Sequence, residues 1–303
     1  MGFFNKVSGA WKPIIGTYIK IGGVWKLLSG IQIKVGGVWK LVFPHTPVTY
    51  TWTGAGDAVS WSDTINWDVG GSYPSKPWHN VVIDAGNDAI SLNAAASVDA
   101  IRDLTIADGS GGSNLTLTKN LSVVGDCIFG DALFGNTGRI YINGKTLTVY
   151  GNITLQTGGI ITLGSSTGLL KVGGNFTRTG GIFTHSNGTI EFFGSFLSSI
   201  PPTGVLIYNF KCIEPGKEIK FTNGQTIHID GKLEIQGAPG LEIKLHSTTP
   251  GSIWGIQNDG NIETVDYASV KDSDPVLGND ITATHSINEG NNDDTTSPKW
   301  IFV

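Results

Sequence analysis

Carboxylates are the first place to look for chemistry in this chain. Hydrolysis of a glycosidic bond needs two of them at a set separation across a sugar-sized groove. The candidates are Glu191, Asp230, Glu234, Glu242, Glu263 and Asp266. Asp230 and Glu234 are four residues apart in an alternating stretch, which predicts a shared strand face. The same spacing arises on any solvated strand, so no catalytic pair is assigned. Lyase chemistry would call for basic residues beside acidic metal ligands. Arginine is limited to Arg102, Arg139 and Arg178, with no acidic partners evident in the sequence. His45, His79, His185, His228, His246 and His285 are dispersed, and no H-x-x-x-H pair occurs. There is no serine nucleophile elbow, P-loop or dinucleotide fingerprint. Hard oxygen ligands gather at Asp57, Asp63 and Asp68 and at Asp272 and Asp274, as calcium requires. Asp in turns needs no metal, however, and the turn reading is preferred. The expectation is a non-enzyme with no catalytic residue, metal site or cofactor.

The elements that carry these residues read as β structure. Glycine makes up 43 of 303 residues and charged residues only 15%, about twice and about half the usual shares. That balance predicts frequent tight corners. Cys127 and Cys212 each sit in an apolar stretch, and the expectation is two buried thiols, not a disulfide. No apolar run approaches a membrane span. The opening MGFFNKVSGAWKP lacks the apolar segment of a secretory leader, and Lys6 breaks the myristoylation pattern. A chain that is not exported is expected.

Charge and repetition set the first 45 residues apart. Lys6, Lys12, Lys20, Lys26, Lys34 and Lys40 all precede the first acidic residue, Asp57. The arm is therefore +6 and the remainder −11, a split that suits a basic arm docking onto something and an acidic body that does not. Trp11, Trp25 and Trp39 recur every 14 residues. Lys12, Lys26 and Lys40 follow them, with Gly9/Gly23/Gly37, Val7/Ile21/Val35 and Lys6/Lys20/Lys34 in the same register. Each unit alternates and then meets a small-residue pair, which reads as strand, turn, strand. A unit this small must stack on its neighbours or on other chains to bury its Trp. A self-packed Trp core and an assembly arm both fit. Nucleic-acid binding does not, because the arm has no Arg and its strict period is architectural. The assembly residues are Trp11, Lys12, Trp25, Lys26, Trp39 and Lys40.

These V-x-G-x-W-K-x-V runs over residues 5–43 resemble repeats at the ends of tailed-bacteriophage structural proteins, tail and fibre components above all. After the linker Phe43 to Pro47, a segment with Trp52, Trp61, Trp67 and Trp78 among Gly, Ser, Asn and Asp resembles the opening of bacterial surface β-helix domains. There it caps the first rung. A cap is needed because an open solenoid end exposes apolar cross-section and unpaired strand groups. A cap is preferred here to a sugar-stacking platform.

From about 100 to 255 the phrases V-V-G-D-C-I-F, V-Y-G-N-I-T-L, V-G-G-N-F-T-R, F-F-G-S-F-L-S and I-D-G-K-L-E-I align on Gly125, Gly151, Gly174, Gly194 and Gly231. Their spacing predicts about six coils of a parallel β-helix, about 30 Å long, with a longer excursion before Gly231. Glycine followed by Asn or Asp suggests left-handed backbone at a corner. Asp126, Asn152 and Asn175 share one repeat position and suggest a side-chain ladder. The N-x-T motifs at Asn114, Asn152, Asn175 and Asn187 follow from this strand pattern, and glycosylation is not expected. Near the end, Asp272, Ser273, Asn291, Trp300, Ile301 and Phe302 match the segment that closes large bacterial and phage surface β-helices. The insert Gly290–Ser297 departs from the compact form of that ending.

The expected architecture is all-β. Residues 1–45 form a Trp/Lys repeat arm, 46–100 a cap and first coil, 101–255 a right-handed parallel β-helix, and 256–303 the last coils and a second cap. The resemblance implies a non-enzymatic phage virion component, of the tail fibre, spike or head decoration type. It would assemble in the host cytoplasm, homotrimeric, anchored to other virion proteins by its arm and touching a host-surface glycan with its β-helix. A glycan-degrading tailspike and a bacterial surface adhesin are the alternatives. No nucleic acid or membrane insertion is expected.

Overall fold

Alternation in runs of three to five residues produces short strands with one face for a core and one for solvent. In the computed structural model such strands are nearly all of the regular structure. The one helical piece among the described residues is a single 3-10 turn, Thr64–Asn66. The structure describes 46–303 apart from 85–88, 99, 107–111, 132–136, 195–196, 201–205 and 261. Ahead of these it describes the backbone of six short strands between 4 and 43.

Those six strands form three antiparallel hairpins. Phe4–Val7 pairs with Ala10–Pro13, Tyr18–Ile21 with Val24–Leu27, and Ile31–Val35 with Val38–Phe43. Register repeats with sequence: Lys6 lies opposite Trp11, Lys20 opposite Trp25 and Lys34 opposite Trp39.

The rest is a parallel β-solenoid with three faces. One turn runs Cys127–Phe129, Gly138–Tyr141, Thr146–Val149, and the next begins at Ile153, paired in parallel with Cys127. Face one is a six-stranded sheet continued by a five-stranded one. Face two is a five-stranded sheet continued by a four-stranded one, and face three is a single nine-stranded sheet. Six complete turns lie between Leu104 and Gln236, as the repeat predicts. Further turns on both sides bring the total to about nine, a rod of about 43 Å at the usual strand spacing.

Inward columns stack like on like. On face one Val81, Leu104, Cys127, Ile153 and Phe176 are in register, and on face three Leu147, Leu170, Ile190, Phe210 and Leu233. All are buried, and each Val, Leu, Ile and Phe among them contributes about 1.5–3 kcal/mol of transfer free energy. Cys127 and Cys212 are free and buried, as expected.

Two details of the predicted corner need correction. Gly231 does not belong with the other glycines. Gly125, Gly151 and Gly174 stack where face three turns into face one, through amide-to-carbonyl bonds of Gly151 to Gly125 (3.0 Å) and Gly174 to Gly151 (2.9 Å). Gly231 lies at the turn from face two into face three, between Thr226–Ile229 and Lys232–Gln236. The long interval therefore holds one full turn and two further strands. Nor do the stacked glycines serve left-handed backbone. A Cβ at Gly125 would stand 1.9 Å from Asp103 Oδ1, and one at Gly151 2.4 Å from Asp126 Oδ1. These positions are glycine because the previous turn's carboxylate folds over them.

Both ends of the rod are closed. Val48–Thr51 extends face one beyond His79–Ile83. The edge of face two is met by Ser91 N–H to Val59 O (2.8 Å) and Trp61 N–H to Ser91 O (3.0 Å). Over this end Trp52, Trp61 and Trp67 are buried, with Trp67 edge-on to both partners at 5.0 Å. Their burial fits packing, not ligand stacking. Trp78 is only partly buried. At the far end Trp300 is 1% exposed and donates Nε1–H to Ser273 Oγ at 3.0 Å.

Candidate functional site

The assembly residues Trp11, Lys12, Trp25, Lys26, Trp39 and Lys40 lie on the second strands of the three hairpins. Their side chains lie outside the described residues. Their backbone placement is nonetheless regular, since each occupies the same station of a two-stranded sheet whose strands pair only with each other among the described residues.

The carboxylates distribute over the solenoid without forming an opposed pair. Glu191 and Glu234 are on face three, in the outward column Lys171, Glu191, Lys211, Glu234. The signs alternate. Lys171 Nζ reaches Glu191 at 2.7 Å, and Glu234 lies 3.1 Å from Lys232 and 3.8 Å from Lys211. A groove of about 290 Å³ follows this column. Its two carboxylates are two strands apart, about 9.5 Å, and each already has a lysine partner. Asp230 and Glu234 do not share a face, because the chain turns a corner between the strands that precede and carry them. Glu242 accepts the Gly240 N–H at 3.1 Å. Asp266 accepts from Thr284 Oγ1 and contacts His285 Nδ1 at 2.9 Å. Those bonds, the histidine's first, hold its pKa down.

Arginine does have an acidic neighbour here: Arg102 Nε is 3.4 Å from Asp103 Oδ2. Arg178 instead donates Nε–H and Nη2–H to the carbonyls of Gly180 and Gly181 at 2.8–3.2 Å.

The carboxylates weighed as calcium ligands are turn residues, except Asp274, which lies on the strand Ser273–Gly278. Asp57 Oδ1 accepts from Val59 N–H (2.9 Å), Ser60 N–H (2.7 Å) and Asn66 Nδ2 (2.8 Å); hydrogen bonding by the Ser60 side chain first, and then by these groups, lowers its pKa. Asp63 accepts from Asp57 and Ile65 N–H groups, and Asp68 from Thr51 N–H. Asp272 is 2% exposed and accepts from Gly251 N–H and Asn291 Nδ2. Asp274 does not share these bonds, and burial raises its pKa. Among the described residues no group of three or more His, Cys, Asp or Glu is placed to hold a metal ion.

The expected ladder is present and longer than the sequence phrases suggested. Asp103 Oδ1 accepts from Asp126 N–H (2.9 Å), Asp126 Oδ1 from Asn152 N–H (2.7 Å), Asn152 Oδ1 from Asn175 N–H (2.9 Å), and Asn175 Oδ1 from Ser199 N–H (2.9 Å). It works by side-chain oxygen to backbone amide, satisfying corner N–H groups that the sheets leave over. Lys217 was not anticipated. It is 1% exposed, and its Nζ donates to Gly173 O (3.0 Å) and Phe193 O (2.9 Å), carbonyls of the two preceding turns. Burial lowers its pKa to about 8.

Among the described residues no helix is long and apolar enough to cross a membrane. Compared with protein-family models, curated proteins and solved structures, the chain matches none.

Proposed function

We propose that this chain is a non-enzymatic structural component of a tailed-phage particle, a fibre, spike or head decoration. Residues 1–45 attach it to other virion proteins, and the solenoid projects for contact with a host-surface glycan. The observation that carries the reading is the threefold hairpin with one register. Each two-stranded hairpin is too small to be stable alone, and its outer edges offer backbone groups to another chain. The +6 charge of the arm against −11 for the body favours docking by the arm. The polar surface of the solenoid supports a passive role, since its outward Lys and Glu pair with each other. A homotrimer would let three arms shield one another's edges.

The test is the solution mass of the full chain beside one lacking residues 1–45, together with incorporation into particles. A trimer that falls to monomer, and loss of incorporation, are expected. Full incorporation of the shortened chain would refute the arm's role.

A further inference from the structure

The rod is continuous on one face only. Face three runs unbroken, and near its middle Thr189–Phe192 pairs with Asn209–Cys212 at every residue. Faces one and two both stop and restart at that level. On face one the first sheet ends at Phe176–Arg178 and the second begins at Ser198–Ile200. On face two the break falls between Ile182–Thr184 and Leu206–Ile207. Among the described residues no ladder joins either pair of strands. The strands that face each other across the break on face two carry exposed apolar side chains, Ile182 at 56% and Leu206 at 39%.

The corner ladder shows how face one loses its pairing. Each ladder bond joins residues that stand opposite each other, as Asp103 with Asp126 and Asp126 with Asn152. By the same rule the bond from Ser199 N–H to Asn175 Oδ1 sets Ser199 opposite Asn175. Phe176 then falls opposite Ile200, the last residue of its strand. The next two residues in the sequence are Pro201 and Pro202, which have no N–H to give a ladder.

Side chains cross the break instead. Phe192 packs on Phe210 at 5.7 Å, an apolar contact with no direction to lose when turns shift. Ser198 Oγ donates to Gly173 O at 3.3 Å. Lys217 spans the break more fully. Its own carbonyl takes the Lys244 N–H on the C-terminal side, while its Nζ donates to Gly173 O and Phe193 O on the N-terminal side.

We propose that the solenoid is two stacks hinged on face three, able to part along faces one and two, with Lys217 as the latch that holds them closed. Motion of this kind is drawn from the places where hydrogen-bonded pairing is thinnest. The N-terminal stack follows the arm directly in sequence, and the C-terminal stack swings against it. The hinge does not depend on the proposed virion role.

The test uses the full chain with paired nitroxide labels and pulsed electron paramagnetic resonance. Thr162→Cys with His228→Cys places labels three turns apart on face two, with the break between them. Ser91→Cys with Thr162→Cys spans three turns inside the N-terminal stack and is the control. Cys127 and Cys212 are buried and stay unlabelled. In Lys217→Met the distance distribution across the break should widen at least twofold and gain longer distances, while the control pair is unchanged. Hydrogen exchange should rise at least tenfold in Ile182–Thr184 and Ser198–Ile200 but not in Thr189–Phe192. If Lys217→Met fails to fold, judged by its β-sheet circular dichroism, Ser198→Ala takes its place by removing the other donor to Gly173 O. An unchanged distribution across the break in a folded variant would overturn the latch and its hinge. So would an equal rise in exchange on face three, which would mean that the stacks come apart without a hinge.

Discussion

Gly151→Ala tests the stacked corner most directly. The added Cβ would meet Asp126 Oδ1 and Gly125 O, each at 2.4 Å, and Gly125 C at 2.7 Å. Ordinary contact begins near 3.4 Å, so the two turns must separate by about 1 Å or the Asp126 carboxylate must leave. Moving a backbone carbonyl is the costly part, and overpacking of this kind costs about 1–3 kcal/mol. If the carboxylate moves, it gives up the Asn152 N–H at 2.7 Å and Asn152 Nδ2 at 3.1 Å, adding about 1 kcal/mol. The sum is about 3 kcal/mol. Gly70→Ala is the control, since nothing lies within 4 Å of a Cβ there and its φ is not left-handed. That change should be neutral or stabilising by up to about 1 kcal/mol, through the unfolded chain. Urea unfolding followed by Trp fluorescence and circular dichroism measures both. If the two variants lie within 1 kcal/mol of each other, steric exclusion is not why glycine sits in this column.

Trp67→Ala should cost about 3–5 kcal/mol, because Trp67 packs against Tyr50, Trp52 and Trp61. Hydrogen exchange should rise first in His79–Ile83 and Ala89–Leu92 while the C-terminal turns stay protected, and a uniform rise would refute a local cap. Both thiols should be silent to a thiol reagent until the protein unfolds; a native-state reaction would contradict their burial. Burial also raises their pKa values, to about 12 for Cys212 against a reference of 9.0, and well upward for Cys127. Raised values mean stability that is complete below pH 9 and lost as pH climbs toward 12, by about 1.4 kcal/mol per pH unit per thiol. Lys217 works the other way between about pH 8 and 10.5. The comparison is therefore Cys212→Ala against the natural chain, and its urea midpoint should fall less steeply from pH 9 to 10.5. An identical slope would refute the assignment.

The period-2 alternation made the strands legible, because one side chain in two must face the core whatever the fold. Glycine before Asp or Asn at 23- to 26-residue spacing exposed the ladder, since each turn must meet the same corner. Asp103 escaped because Arg102, not glycine, precedes it. Gly231 misled because its phrase resembles the others while sitting at a different corner. At the C-terminus the matched residues do meet: Trp300 bonds Ser273, and Asn291 bonds Asp272 at 2.8 Å.

By itself the sequence determined the class of fold, the strand faces, the buried thiols and the regular hairpin unit, since these follow from local periodicity and residue type. The tertiary structure alone decided which residues from successive turns meet. Lys217 reaches carbonyls up to 44 residues away, and the Lys171–Glu191–Lys211–Glu234 column exists only in this register. A shift of one residue in any turn would send these side chains to the opposite face, and that register is set by the sum of all inward contacts, which no single stretch of sequence contains.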